Sequence, residues 1–145
     1  MPGIRHEPFS AAHIDLIDDA GAQEWLRPYF SRLAEEAEGG IGISFFAGQV
    51  FLGAGGIMPI HDFRAVAWGI FVPGYPQHFL GVWRISRAFI AERLKTYPRI
   101  EAYIDPDFSR SVRFVKALGF REETARKPYF FPDGRPGAEW VIFGG

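Results

Sequence analysis

Between Ile100 and Phe120 the sequence changes its hydrophobic period twice within a short span. Ile100-Glu101-Ala102-Tyr103-Ile104 reads as a mostly apolar strand. Asp105-Pro106-Asp107 then forms a turn, because proline and two short acidic side chains favour neither strand nor helix interior. Val112, Val115 and Leu118 recur every three residues, which predicts an amphipathic helix with Asp107 as its N-cap. Gly119 stands where a helix end favours a residue free to take positive φ, and Phe120 resumes an extended segment. The unit is therefore strand, turn, helix, glycine stop, strand. A chain built around it must pack helices on a sheet, so the expected class is α/β in the broad sense, of the α+β type.

The flanking sequence extends this pattern. Ile4 to Glu7 is a short candidate strand. Ser10 is a candidate N-cap for a helix over Ala11–Asp19, with a second helix over Ala22–Ala37. Ile41–Phe46 and Val50–Met58 read as a hairpin around Ala47-Gly48-Gln49, and Ala65–Val72 as a further strand. The glycines at 53, 55 and 56 sit in a strand with no helix after it, so they mark a bulge or close backbone approach, not a phosphate loop. His78–Thr96 is the longest predicted helix. Phe120–Arg126 and Glu139–Phe143 are the last strands. No linker interrupts this order, and residues 1–145 are expected to form one domain.

Composition removes whole classes of function. There is no cysteine, so disulfides, thiolate metal sites and cysteine nucleophiles are excluded. The four histidines, His6, His13, His61 and His78, lack ligand spacing, so no metal site is expected. A formal net charge of −1 gives no general reason to expect nucleic acid or an anionic membrane as partner. The first residues lack an apolar signal segment, and a cytoplasmic location is expected.

The Ser111 and Leu118-Gly119-Phe120 positions resemble the late signature of the Gcn5-related N-acetyltransferase (GNAT) family, and the element order is similar too. The resemblance implies a GNAT-like acyl-CoA N-acyltransferase fold, a mixed, mostly antiparallel central sheet flanked by helices. It implies acetyl-CoA as cosubstrate and a small-molecule or peptide amine as acceptor. By the same resemblance the cofactor-binding residues are Phe71, Val72, Gln77, His78, Phe79, Leu80, Gly81, Arg84, Phe108 and Ser111, with pyrophosphate at the start of the long helix. The family loop is written with small residues, whereas here Phe79 and Leu80 are bulky. Two family positions also differ: the asparagine falls at Phe108 and the phenol at Val115. Tyr97-Pro98, Asp105-Pro106-Asp107 and Ser111–Phe114 also resemble small GNAT-like proteins of tailed phages.

Acetyl transfer to an amine needs a proton acceptor, an oxyanion donor and an acid for the leaving thiolate. His61, Glu101 and Tyr103 are the catalytic candidates. Three readings remain open. The first is an acyltransferase. The second is a catalytically inactive binding or structural protein on the same scaffold, with Phe79, Leu80 and Phe108 filling the cleft. The third is a nucleic-acid binder using Arg110, Arg113, Lys116 and Arg121. The aromatic loop Pro128–Gly134 is a candidate pocket wall or homodimer contact, or packing under the last hairpin.

Overall fold

The computed structural model describes residues 3–10, 12, 13, 15, 16, 41–72 and 75–144. The helix expected over Ala22–Ala37, most of that over Ala11–Asp19, and Pro73-Gly74 lie outside them. The elements are β1 (Ile4–Pro8), β2 (Gly42–Ala47), β3 (Val50–His61), β4 (Arg64–Phe71), a 3-10 turn (Tyr75–His78), α1 (Phe79–Leu94), β5 (Arg99–Ile104), α2 (Ser109–Leu118), β6 (Arg121–Glu122) and β7 (Ala138–Phe143). The strands hydrogen-bond in the order β1-β2-β3-β4-β5-β7-β6. Pairing is parallel between β4 and β5 and antiparallel at β1–β2, β2–β3, β5–β7 and β6–β7. This is the mixed, mostly antiparallel sheet expected from the sequence.

The chain divides into two compact units, Met1–Met58 with Trp68–Val82, and Pro59–Ala67 with Trp83–Gly145. In the first, β2 and β3 form the expected hairpin around Gly48. Phe45 pairs with Gly53 and Phe46 with Phe51, so Leu52 is an extra residue on β3 and the strand bulges there. Phe9, Phe45, Leu52 and Ile57 fill the interior. A part-buried hydrogen-bond chain ties β1 to β2. His13 Nε2 meets Glu7 Oε1 at 3.0 Å, and His13 Nδ1 meets Ser44 Oγ at 2.7 Å. Gly81 lacks a side chain because Ile4 occupies that space: a Cβ there would stand 2.7 Å from Ile4 Cγ1.

In the second unit β5 is central. Its Arg99–Ala102 segment pairs with Arg64–Ala67 of β4, and its full length pairs with β7. Strand alternation puts Ile100, Ala102 and Ala65 on one sheet face with Trp140 and Ile142, and Glu101, Val66 and Val141 on the other. α2 packs toward the first face: Lys116 Nζ lies 5.9 Å from the Trp140 ring centroid. α1 is tied to α2 by Trp83 Nε1, which donates to the Ala117 carbonyl at 2.7 Å.

The end of α2 follows the sequence reading closely. Gly119 has φ 100 and ψ 5, its N–H donates to the Lys116 carbonyl, and the Phe120 N–H donates to the Val115 carbonyl at 3.0 Å. This is a Schellman stop, and Val115 and Phe120, which stand at its C3 and C″ positions, are both buried. The start of α2 differs from expectation. The N-cap residue is Phe108, with no side-chain cap. Asp107 is drawn away because Arg126 binds both its carboxylate oxygens, at 2.7 and 2.8 Å. The strand expected over Phe120–Arg126 shrinks to two residues. The N–H groups of Glu123 and Thr124 both donate to the Glu139 carbonyl, which breaks the alternating ladder.

Replacing Gly119 with alanine forces a Cβ into left-handed backbone while leaving room beside Ile142. The expected cost is about 1 to 2 kcal/mol, read as a lower urea midpoint with an unchanged slope. No loss of stability would show that α2 ends without relying on this residue.

Candidate active site

Strand alternation on β5 brings Arg99, Glu101 and Tyr103 to one face, and the parallel register adds Arg64 from β4. Glu101 is the centre of the group, its side chain only 6% exposed. Arg64 Nε donates to Glu101 Oε2 and Arg64 Nη2 to Oε1, both at 2.8 Å, in a forked pairing. Arg99 Nε donates to Oε2 at 2.6 Å, and the Tyr103 hydroxyl to Oε1 at 3.0 Å. Arg99 also binds Glu123 through two donors.

The electrostatics follow from these contacts. Burial pushes the Glu101 carboxyl up, but the donors from Arg64, Arg99 and Tyr103 outweigh it and hold the group at about 2. Hydrogen bonding to Glu123, then to Glu101, raises Arg99. Burial, followed by donation to Glu101, raises the Tyr103 phenol. The result is a fixed carboxylate between two permanent cations, with a phenol that keeps its proton. The sequence reading named Glu101 and Tyr103 but not Arg64 and Arg99. The signal was available in the i, i+2 spacing of Arg99, Glu101 and Tyr103.

His61 does not join this cluster by any hydrogen bond among the described residues. It ends β3, exposed, and its Nδ1 accepts the Phe63 N–H at 3.1 Å. A backbone amide can only donate, so the neutral ring carries its proton on Nε2.

The residues assigned to coenzyme binding fall in both units. In the first, Phe71 ends β4 and its ring lies 6.1 Å from that of Phe45. The Val72 N–H donates to the Leu52 carbonyl at 3.0 Å. Gln77 is exposed and His78 half-buried in the 3-10 turn, and Phe79 opens α1 half-buried. Leu80 is 55% exposed, so it does not plug an interior, and the first turn of α1 carries no acidic side chain. In the second unit, Arg84 is exposed, Ser111 is half-buried, and Phe108 is 37% exposed. Val115, at the family's phenol position, is buried at 7% exposure. No group of three or more potential metal ligands occurs among the described residues. Nor is any helix among them long and apolar enough to cross a membrane.

No family model matches the sequence, and no curated protein matches it. Solved structures do match the fold. Ard1 from Thermoplasma volcanium superposes with a TM-score of 0.78 at 14% identity, over 97% of each chain. A GNAT-family acetyltransferase from Bacillus anthracis gives 0.74 at 12% identity, covering 97% of this chain and 95% of its own. yncA from Salmonella typhimurium, a putative acetyltransferase solved with acetyl-CoA, gives 0.69 at 13% identity, covering 97% and 94%. The fold is thus that of GNAT acyl-CoA N-acyltransferases. The resemblance to tailed-phage proteins finds no support in these structures.

The depressed Glu101 group makes acid stability a direct readout of the cluster. Its contribution is full above the unfolded value of 4.5 and is lost as pH falls toward about 2. The shift corresponds to about 3 kcal/mol. Glu101→Gln should lose about that much at neutral pH, with its urea midpoint converging on the parent's as pH drops from about 5 to 2. Curves that stay parallel across that range would exclude a charged Glu101 as their origin.

Proposed function

We propose that this chain is an N-acetyltransferase that moves an acetyl group from acetyl-CoA to a small-molecule or peptide amine, with residues 1–145 as one catalytic domain. The observation that carries the reading is the fold match over 97% of the chain to acetyltransferases, one of them solved with acetyl-CoA. Local chemistry at α1 supports it. A helix start favours phosphate through its amide groups and dipole. Here it bears no carboxylate in its first turn, an exposed Leu80 and an exposed Gln77 just before it. In this reading Phe79–Gly81 amides hold the pyrophosphate and Arg84 supplies charge. The missing side chain at Gly81 is explained by Ile4, so a Gly81→Trp variant would disrupt β1 before reporting on ligand.

Proton transfer takes a particular form in this reading. Glu101 is saturated with donors, the Nδ1 of His61 is spent on a backbone amide, and the Tyr103 proton is given to Glu101. None of the three is a free base. In this reading the acceptor amine enters already neutral, its nitrogen bonds the acetyl carbon as the C–S bond breaks, coenzyme A leaves as the thiolate, and solvent takes the proton from the nitrogen. Glu101 and Tyr103 act as supports for the strand and not as reacting groups.

A second reading keeps the scaffold and drops the chemistry. Val115 favours it, since that helix position carries no phenol to act as an acid. One titration separates the two. Saturating acetyl-CoA, at about 100 times Kd, should stabilise the protein by about 2.7 kcal/mol. Leu80→Glu puts a carboxylate at the helix start, where it favours the helix but repels phosphate. It should keep the melting temperature without ligand and lose most of the ligand-induced rise. A rise without turnover on a panel of amines supports a scaffold that binds coenzyme without chemistry, and no rise with acetyl-CoA or free coenzyme A overturns the acetyltransferase reading and leaves the inactive scaffold.

Turnover, where present, should increase with pH in step with the acceptor's neutral amine fraction. Exchanging the acceptor for one of lower amine pKa should move the profile by the same amount. A profile that ignores the acceptor would point to an enzyme base instead.

A further inference from the structure

We infer that the exposed helical surface of the second unit binds the phosphate backbone of a nucleic acid. α2 carries Arg110, Arg113 and Lys116 and no carboxylate, and all three are exposed. Arg113 lies one helical turn before Ala117, whose carbonyl accepts the Trp83 N–H. On α1, Arg87 is exposed and stands 5.3 Å from the Trp83 ring centroid. Arg87 and Arg113 thus stand near one helix–helix junction, and Lys116 lies along α2 toward Trp140. None of them makes an ion pair among the described residues.

The net charge of −1 conceals this surface because the charge is segregated along the chain. Pro59–Ala67 with Trp83–Gly145 holds thirteen arginines and lysines against nine aspartates and glutamates, an excess of four. Most of the carboxylates are already engaged elsewhere. Glu101 and Glu123 serve Arg64 and Arg99, Asp107 serves Arg126, Asp105 and Asp133 serve Arg135, Glu139 serves Lys127 and Glu92 serves Lys95. The cations of α2 make no ion pair with any carboxylate among the described residues.

Arg121 does not belong to this surface, although sequence proximity suggested it. It pairs with Val141, which faces opposite to Trp140 on β7, and its guanidinium lies 5.2 Å from the Phe143 ring centroid. The chemistry of the surface selects the partner. Arginine predominates, which favours phosphate oxygens. The α2 stripe has no large exposed apolar side chain, whereas a membrane-lying helix or a protein interface would put apolar anchors among the cations. Sequence-independent phosphate contact needs none.

The test uses the full chain without acetyl-CoA, so its outcome is separate from that of the acetyltransferase reading. Binding to fluorescein-labelled single-stranded RNA and to a DNA duplex is followed by anisotropy across a salt series. The inference expects binding at low salt that weakens linearly in log–log form. The triple variant Arg87→Ala, Arg113→Ala, Lys116→Ala should bind at least tenfold more weakly, with a salt slope shallower by about 2 to 3. Arg121→Ala should bind like the parent. A urea midpoint matching the parent's establishes that the triple variant is folded. If it is not, Arg110→Gln with Arg113→Gln provides the same comparison. Absence of binding at low salt, binding unchanged in the variants, or equal affinity for phosphatidylserine vesicles or polyglutamate would each overturn the proposal.

Discussion

A carboxylate removed from water must be matched by charge and hydrogen bonds, or the strand that carries it cannot be buried. Glu101 meets that requirement with donors from the preceding strand, from its own strand and from Tyr103. The match works only in one register, because a one-residue slip of β4 against β5 would send Arg64 to the opposite face. The parallel pairing of β4 and β5 and the burial of Glu101 are therefore a single event. Its extension to Glu123 through Arg99 carries the constraint to the segment after β6.

Some of the fold was legible because single residues have few alternatives. Gly119 ends a helix whose apolar spacing is already clear, and its left-handed backbone follows from that position. The bulge on β3 was likewise signalled by glycines in a strand. Asp107 was misread for a reason no local rule contains. An aspartate two residues before a helix can cap it, but Arg126 offers it a forked partner from distant sequence. The short β6 has the same origin: two amides converge on the Glu139 carbonyl, and that carbonyl belongs to another strand.

The candidate site was only partly legible. Glu101 was evident as a lone carboxylate in a mostly apolar strand and as a catalytic candidate. The structure shows it buried and paired. That outcome depended on Arg64, which lies 37 residues away in sequence. His61 was a reasonable base by residue type, but the direction of one backbone amide removes its acceptor nitrogen. Residue identity states which proton chemistry is conceivable, and tertiary hydrogen bonding decides whether the lone pair remains free.

Val115 makes the point from the other side. Its position is where the family resemblance called for a phenol, yet its carbonyl belongs to the helix stop and its side chain is buried. The carbonyl accepts the Phe120 N–H at 3.0 Å. The resemblance pairs a phenol at this position with the same Leu-Gly-Phe ending, so here the ending is kept and the acid group is not. Any acid or base it uses has to come from a side chain not already committed to holding a strand or a turn. Among the described carboxylates of the second unit, Asp62 and Glu122 stand outside the ion pairs that hold the others.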